Sequence, residues 1–354
     1  MDDALRVIAK SWDYPCAERL AGNLVWMVEH LVAYGELRAP PGLLGQLEKV
    51  SISTIRRILM RIGQNQPRLP RRRPEQTNQV IKNIPMPRIP WQEQEPGHVE
   101  VDLVHHCGPS ASGEYVHTLQ MVDVATGWSE RVAVLGRGQL VMQDAFRRIL
   151  ARLPFQVLEI HPDNGSEFFH HHLVRFWKET VQGVHLSRSR PFHKNDNRFV
   201  EQRNGLVRAY LGNERLDTVA QTLALNQLYD QMWVCFNLFQ PTLRLAEKTS
   251  ILTALGHFQV KRRYEQAQTP FDRLCRTEAI SAERKELLEH LRKQTNPRPL
   301  REEIYRTIDG LFSLPNAVPG QTEDVHLTLS ATPNVQSGDI CSVTLSPDRT
   351  IPSG

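Results

Sequence analysis

Cysteine is scarce in this chain. The five present (Cys16, Cys107, Cys235, Cys275 and Cys341) are odd in number, scattered and without a CxxC pair, which argues against a disulfide framework and against a cysteine zinc site. Long apolar runs are missing as well, and nothing approaches the roughly 20 residues that span a bilayer. The opening MDDALRVIAKSWDY is too polar and acidic for a secretory leader, so a cytosolic protein with no membrane partner is expected. Acids nearly vanish between Ser51 and Pro90, where nine basic residues meet one acid, Glu75. That local excess is the footprint of a polyanion-binding surface, which the overall net charge of +4 would not reveal.

What is present divides the chain into parts. With 354 residues, 40% of them hydrophobic, it can bury a core and hold two or three domains. Residues 1–63 carry apolar side chains at helical spacing in LAGNLVWMVEHLVAYGEL and STIRRILMRIG. In the second stretch Ser51 or Ser53 can cap a helix that buries Ile55, Ile58, Leu59 and Ile62 and turns Arg56, Arg57 and Arg61 outward. The second helix of a helix-turn-helix presents cations to DNA in this way, although a solvated amphipathic helix has the same pattern. Residues 64–96 hold seven prolines and Arg71, Arg72 and Arg73. This stretch reads as an extended basic linker suited to a DNA backbone.

From residue 97 the period changes. HVEVDLVHH, EYVHTLQMVDV and WSERVAVL read as strands, QLVMQDAFRRILARL as a helix, FQVLEI as a strand, SEFFHHHLVRFWKETV as a helix and GVHLSRS as a strand. Two long helices then begin near Asn195 and Asp217. Three strands followed by alternating helices and strands predict an α/β layered domain with a mixed sheet over 97–238. A Ser/Thr/Pro-rich tail without regular structure is expected over 315–354.

Acids stand where such a sheet gathers reactive groups. Period two puts Glu100 and Asp102 on one side of the first strand and Val99, Val101 and Leu103 on the other. Asp163 follows a strand end in IHPDNGSEFF, where turn chemistry alone could also account for it. In HKNDNRFVEQRNGLVRAYLG, with Asn195 or Asn197 as the cap, Glu201, Asn204, Gly205 and Arg208 fall opposite Phe199, Val200, Leu206, Val207, Tyr210 and Leu211. Asp102, Asp163 and Glu201 lie on three elements, with 60 and then 37 residues between them. Convergent hard oxygens suit Mg²⁺, and without a cation clustered carboxylates repel.

VEVDLVHH, VDVATGW, HPDNGSEF and SRSRPFHKNDNRFVEQRNGLVR together resemble the integrase catalytic core of bacterial insertion-sequence transposases, members of the retroviral integrase superfamily. The resemblance implies a ribonuclease H-like fold and an Asp-Asp-Glu triad of Asp102, Asp163 and Glu201 holding Mg²⁺ or Mn²⁺. It also implies a helical C-terminal region over 239–314, nicking at transposon ends, attack of the freed 3′-hydroxyl on target DNA, and a homo-oligomer assembled on DNA in the bacterial cytosol.

Arg188, Arg190, Lys194, Arg198 and Arg208 surround the helix that bears Glu201 and are expected to contact the DNA backbone, with Asn204 as a further base or phosphate contact. Asp123 reads as a turn residue capping its own backbone, and Glu100 as either a fourth acid or a salt-bridge partner. Two other readings stay open: a catalytically silent, transposase-derived DNA-binding protein, and a ribonuclease H-like nuclease that cuts without joining.

Overall fold

The computed structural model describes residues 1–64, 94–162, 176–177, 179–181, 183–187, 197–252 and 258–329. At its centre β1 (His98–His105), β2 (Val116–Asp123) and β3 (Ser129–Leu135) form an antiparallel meander. On the other side of β1, β4 (Glu159–Pro162) and β5 (His185–Leu186) add in parallel, giving the order β3-β2-β1-β4-β5. Helices Gln139–Arg152, Arg198–Leu211 and Val219–Val234 flank this mixed sheet. A meander extended on one side by parallel strands is the ribonuclease H-like arrangement, and it is the α/β class the alternation predicted.

The local reasons are visible in β1. Val99 and Val101 are fully buried and Leu103 nearly so, as the two-residue period requires. β4 starts later than FQVLEI suggested, because Gly97 takes the place of a strand partner. Its φ of +118° turns its carbonyl toward the N–H groups of Leu158 and Glu159, at 2.9 and 3.1 Å. A Cβ at Gly97 would meet the Gln156 carbonyl oxygen at 2.5 Å. His98 Nδ1, 2.9 Å from Glu159 Oε2, fixes the first register pair of β1 and β4.

β3 lies at the edge of the sheet, but its outer backbone groups are covered. The Asn226 side chain, on the Val219–Val234 helix, accepts from Ala133 N–H and donates to Ala133 C=O, both at 2.9 Å. Asn237 makes the same pair of bonds with Ser129, at 2.9 and 3.0 Å, and Arg152 donates to the Arg131 carbonyl between them at 2.7 Å. Side-chain amides thus finish a ladder that an exposed edge would offer to another chain. Beneath it Glu130, fully buried, accepts from the Trp128 and Trp233 indoles and pairs with Arg152 at 3.1 Å.

The first 64 residues fold as helices Asp2–Ser11, Ala17–Leu20, Leu24–Ala33, Leu43–Lys49 and Ile52–Gln64. In the last of these Ile55, Ile58 and Ile62 are buried, as their spacing predicted, and Ser51 Oγ accepts from Thr54 N–H at 3.2 Å as the cap. These helices share one core with the far end of the chain. Asp13, in the left-handed region at φ 57°, accepts from Arg301 at 3.0 Å and from the hydroxyls of Tyr305 and Tyr210, both at 2.6 Å.

The region expected to be helical over 239–314 contains helices Pro270–Leu274, Ala282–Gln294 and Pro297–Ser313. Before them stands an antiparallel hairpin, β6 (Leu245–Leu252) and β7 (Phe258–Tyr264), that the sequence reading did not place. Residues 315–329 of the expected tail are ordered against the Val219–Val234 helix. Glu323 accepts from Val219 N–H and Asp217 from Ala317 N–H, each at 2.8 Å. The rest of that tail lies outside the described residues, as does most of the predicted SEFFHHHLVRFWKETV helix.

Candidate functional site

Two acids two residues apart on β1 meet one helix. Asp102 is partly exposed; its Oδ1 accepts from the Leu103 N–H at 2.8 Å, and its Oδ2 from the Asn204 side-chain amide at 2.6 Å. Glu100, fully buried, accepts from the Val200 N–H at 2.8 Å through one carboxyl oxygen. Asn197 occupies the N-cap position of the Arg198–Leu211 helix without a side-chain capping bond. The strand therefore supplies what the cap residue does not, since the first N–H groups of a helix have no partner within it.

Burial pushes the Glu100 carboxyl up to about 8, against the pull of the Val200 and Phe199 N–H groups and of Arg198, and the neighbouring Glu201 raises it further. Glu201 is exposed and stands one helical turn before Asn204, on the same side of the helix. Asn204 thus joins the helix that carries Glu201 to Asp102 on the strand.

The helix is rolled relative to the sequence reading. Val200, Arg203, Asn204, Val207 and Leu211 are its buried residues. Asn204, expected to reach DNA, is 4% exposed and directed at Asp102, because the sheet beneath offers it an anionic acceptor. Its spacing three residues after Glu201 was the available signal. Arg203 donates to the Gly127 carbonyl at 3.0 Å, and burial among Arg131, Arg19, Arg273 and Arg244 lowers its pKa to about 9. Arg198 and Arg244 lie over the Phe199 ring at 4.9 and 5.3 Å from its centroid. The sequence placed Glu100 beside Asp102 but did not reveal its partner, the Val200 N–H.

Asp163 directly follows Pro162, the last residue of β4, but itself lies outside the described residues. So do Arg71, Arg72, Arg73, Arg188, Arg190 and Lys194. Arg208 is exposed on the site helix. Arg56 and Arg61 are surface residues that pair with acids of earlier helices, Arg56 with Glu18 and Arg61 with Asp2 at 2.6 Å, while Arg57 donates to Thr54 Oγ1 at 3.2 Å. Asp123 caps its own turn as expected, accepting from Thr126 N–H at 2.7 Å, and it also accepts from Gly97 N–H at 2.8 Å. Among the described residues no three His, Cys, Asp or Glu side chains form a group that could hold a metal ion. No helix among them is long and apolar enough to cross a membrane.

Strand order and the acids of β1 define the chain as an α/β protein of the ribonuclease H-like class. No family model matches it. It is 35% identical over 251 residues to the uncharacterized protein y4rM of Sinorhizobium fredii (strain NBRC 101917 / NGR234), covering 70% of this chain and 71% of that one. The chain belongs to the family of that protein. Among solved structures it is similar to the catalytic core domain of BIV integrase, at 19% identity over 41% of this chain and 85% of that one, with a TM-score of 0.29. It is also similar to the HTLV-2 integrase catalytic core domain in complex with magnesium, at 18% identity over 42% and 90% of the two chains, with a TM-score of 0.31. The fold assignment rests on the strand order and not on these two likenesses.

Proposed function

We propose that the chain is a metal-dependent DNA transposase that nicks the ends of a mobile element and joins them to target DNA. The observation that carries this reading is the meeting of Asp102 and the Glu201-bearing helix through Asn204. Asp163 is bonded in sequence to Pro162, which pairs in register with Val101, the neighbour of Asp102. Three carboxylates at these places match the Asp-Asp-Glu triad that the sequence motifs resemble.

The donor set fits a hard divalent cation. Asp102 and Glu201 are carboxylates with access to solvent, and a cation would relieve the repulsion that clustered acids otherwise feel. Asp102, Asp163 and Glu201 would hold Mg²⁺ or Mn²⁺, which when bound activates an attacking oxygen and stabilises a leaving one. Asn204 keeps the Asp102 carboxylate oriented. Arg198 and Arg208, with Arg188, Arg190 and Lys194, serve the DNA backbone, and Arg56, Arg57 and Arg61 with Arg71, Arg72 and Arg73 serve the flanking duplex. Water displaces the 3′ oxygen of the element end and frees a 3′-hydroxyl. That hydroxyl then attacks a target phosphodiester, forming one bond and releasing one target 3′-hydroxyl. A homo-oligomer on paired ends fits this chemistry.

The test is strand transfer by the full-length protein on labelled DNA carrying the ends of its own element, with Mn²⁺ or Mg²⁺ and a supercoiled target. Joined products that disappear in Glu201→Gln and Asp163→Asn are expected. Cleavage without joining would make the protein a nuclease, and end binding unaffected by either substitution, without any product, would make it a binder.

A further inference from the structure

We infer that Glu100 is a positioning residue that sets Glu201 against Asp102 by holding the N-terminus of the helix they share. The inference rests on the transposase reading above and names a residue outside its triad.

The helix Arg198–Leu211 touches β1 through polar groups at two points. Glu100 accepts from Val200 N–H at 2.8 Å, and Asp102 accepts from Asn204 at 2.6 Å. Along the strand the two acids are separated by about 6.6 Å, two residues at roughly 3.3 Å each. Along the helix Val200 and Asn204 are separated by about 6 Å, four residues at 1.5 Å each. Glu201 lies between Val200 and Asn204 in the chain, so the two bonds together constrain the turn of helix that carries it.

A buried carboxyl in a strand is costly unless it is hydrogen-bonded, and a valine would satisfy the same alternation. Here the partner is specific. The carboxyl accepts from the Val200 N–H in the first turn of a helix, where N–H groups have no partner within the helix. Arg198 and Arg244, both over the Phe199 ring, add positive charge nearby. Asn197, the residue placed to cap this helix from within, makes no such bond. The capping function has been moved onto the strand that carries Asp102, so the helix cannot shift without losing it.

The test compares the full-length wild type with Glu100→Leu, Glu100→Gln and Glu100→Asp, and with Glu201→Gln as the chemistry control. The readouts are kcat and KM for Mn²⁺-dependent nicking of element-end DNA, and amide exchange at Phe199 and Val200. Glu100→Leu keeps the volume and removes the acceptor. It should lose about 100-fold in kcat, the scale of an ångström-sized misplacement, with KM within about threefold, and both amides should exchange faster. Glu100→Gln retains an acceptor oxygen and should recover most of kcat.

If Glu100→Leu does not fold, Glu100→Asp decides, because it keeps the carboxyl and withdraws the oxygen by one methylene. Its kcat should fall with KM unchanged. Wild-type kcat in a folded Glu100→Leu or in Glu100→Asp overturns the inference, as does a loss that lies in KM. Equal inactivity of wild type and Glu201→Gln would instead mean that the transposase reading has failed, and the positioning role with it.

Discussion

Asn204 and Asp102 face each other across helix and strand with 2.6 Å between amide nitrogen and carboxylate oxygen. Asn204→Asp would place two carboxylates at that distance in a partly buried site, where like charges repel strongly. In chelator the variant should be less stable than wild type by about 1–3 kcal/mol. Mg²⁺ or Mn²⁺ should restore it, because a ligand that binds only the folded state stabilises it by mass action. Thermal unfolding with and without the ion measures both effects. A variant that is unstable to the same degree in metal and in chelator would show that no cation is held beside Asp102.

The edge of the sheet gives a prediction independent of function. Asn226 satisfies both backbone groups of Ala133 in the interior. Asn226→Leu fills the space and satisfies neither, so a loss of about 2–4 kcal/mol is expected from two orphaned groups. Urea denaturation reads the stability. Light scattering of the variant should also rise, since the freed edge can pair with another copy.

Acid should weaken the fold well above the carboxylate range. Burial holds His106 and His117 down at about 3 in the folded chain, while their ordinary value is 6.5. Between these values the unfolded chain binds more protons than the folded one, so stability falls as pH drops through that window. Each group contributes up to about 1.4 kcal/mol per pH unit. Urea midpoints taken from near neutral to about pH 5 should show this slope. His106→Gln, which can still bond Thr118, should remove roughly one proton's share of it.

Asp13 ties the two ends of the chain together. Its carboxylate is 7% exposed and pairs with Arg301, itself 16% exposed, so Asp13→Asn leaves a largely buried guanidinium without its counter-ion. A loss of about 2–4 kcal/mol in denaturant unfolding is expected. Adding Arg301→Met should recover part of it, since the uncompensated charge is then gone.

Much of this could be read from the sequence. Alternation in HVEVDLVH placed Val99, Val101 and Leu103 inside and set Glu100 beside Asp102, because a strand period leaves little choice. Helical spacing found Ile55, Ile58 and Ile62. It did not find the roll of the Arg198–Leu211 helix, where polar residues Arg203 and Asn204 are buried because the sheet supplies partners that a helical wheel cannot see. Glu100 was legible as an acid on the correct side of β1. Its partner was not, since an N–H of Val200 has no signature in a side chain. The hairpin of β6 and β7 was missed because LAEKTSIL and FQVKRRY alternate weakly and carry several charges. Asp13 gave no signal, because its three partners lie 197, 288 and 292 positions along the chain.

Those separations govern how the molecule is made. The ribosome delivers about 5–20 residues per second, so roughly 15–60 seconds pass between the synthesis of Asp13 and of Arg301. For most of that interval Leu5, Ile8 and Trp12, which end almost fully buried, have already left the exit tunnel. The helix Asp2–Ser11 completes its packing only against the helix Pro297–Ser313. Nascent chains of this protein should therefore need chaperone cover late into translation, and a message broken before the codon for Pro297 would yield a product whose opening helices never find their partner.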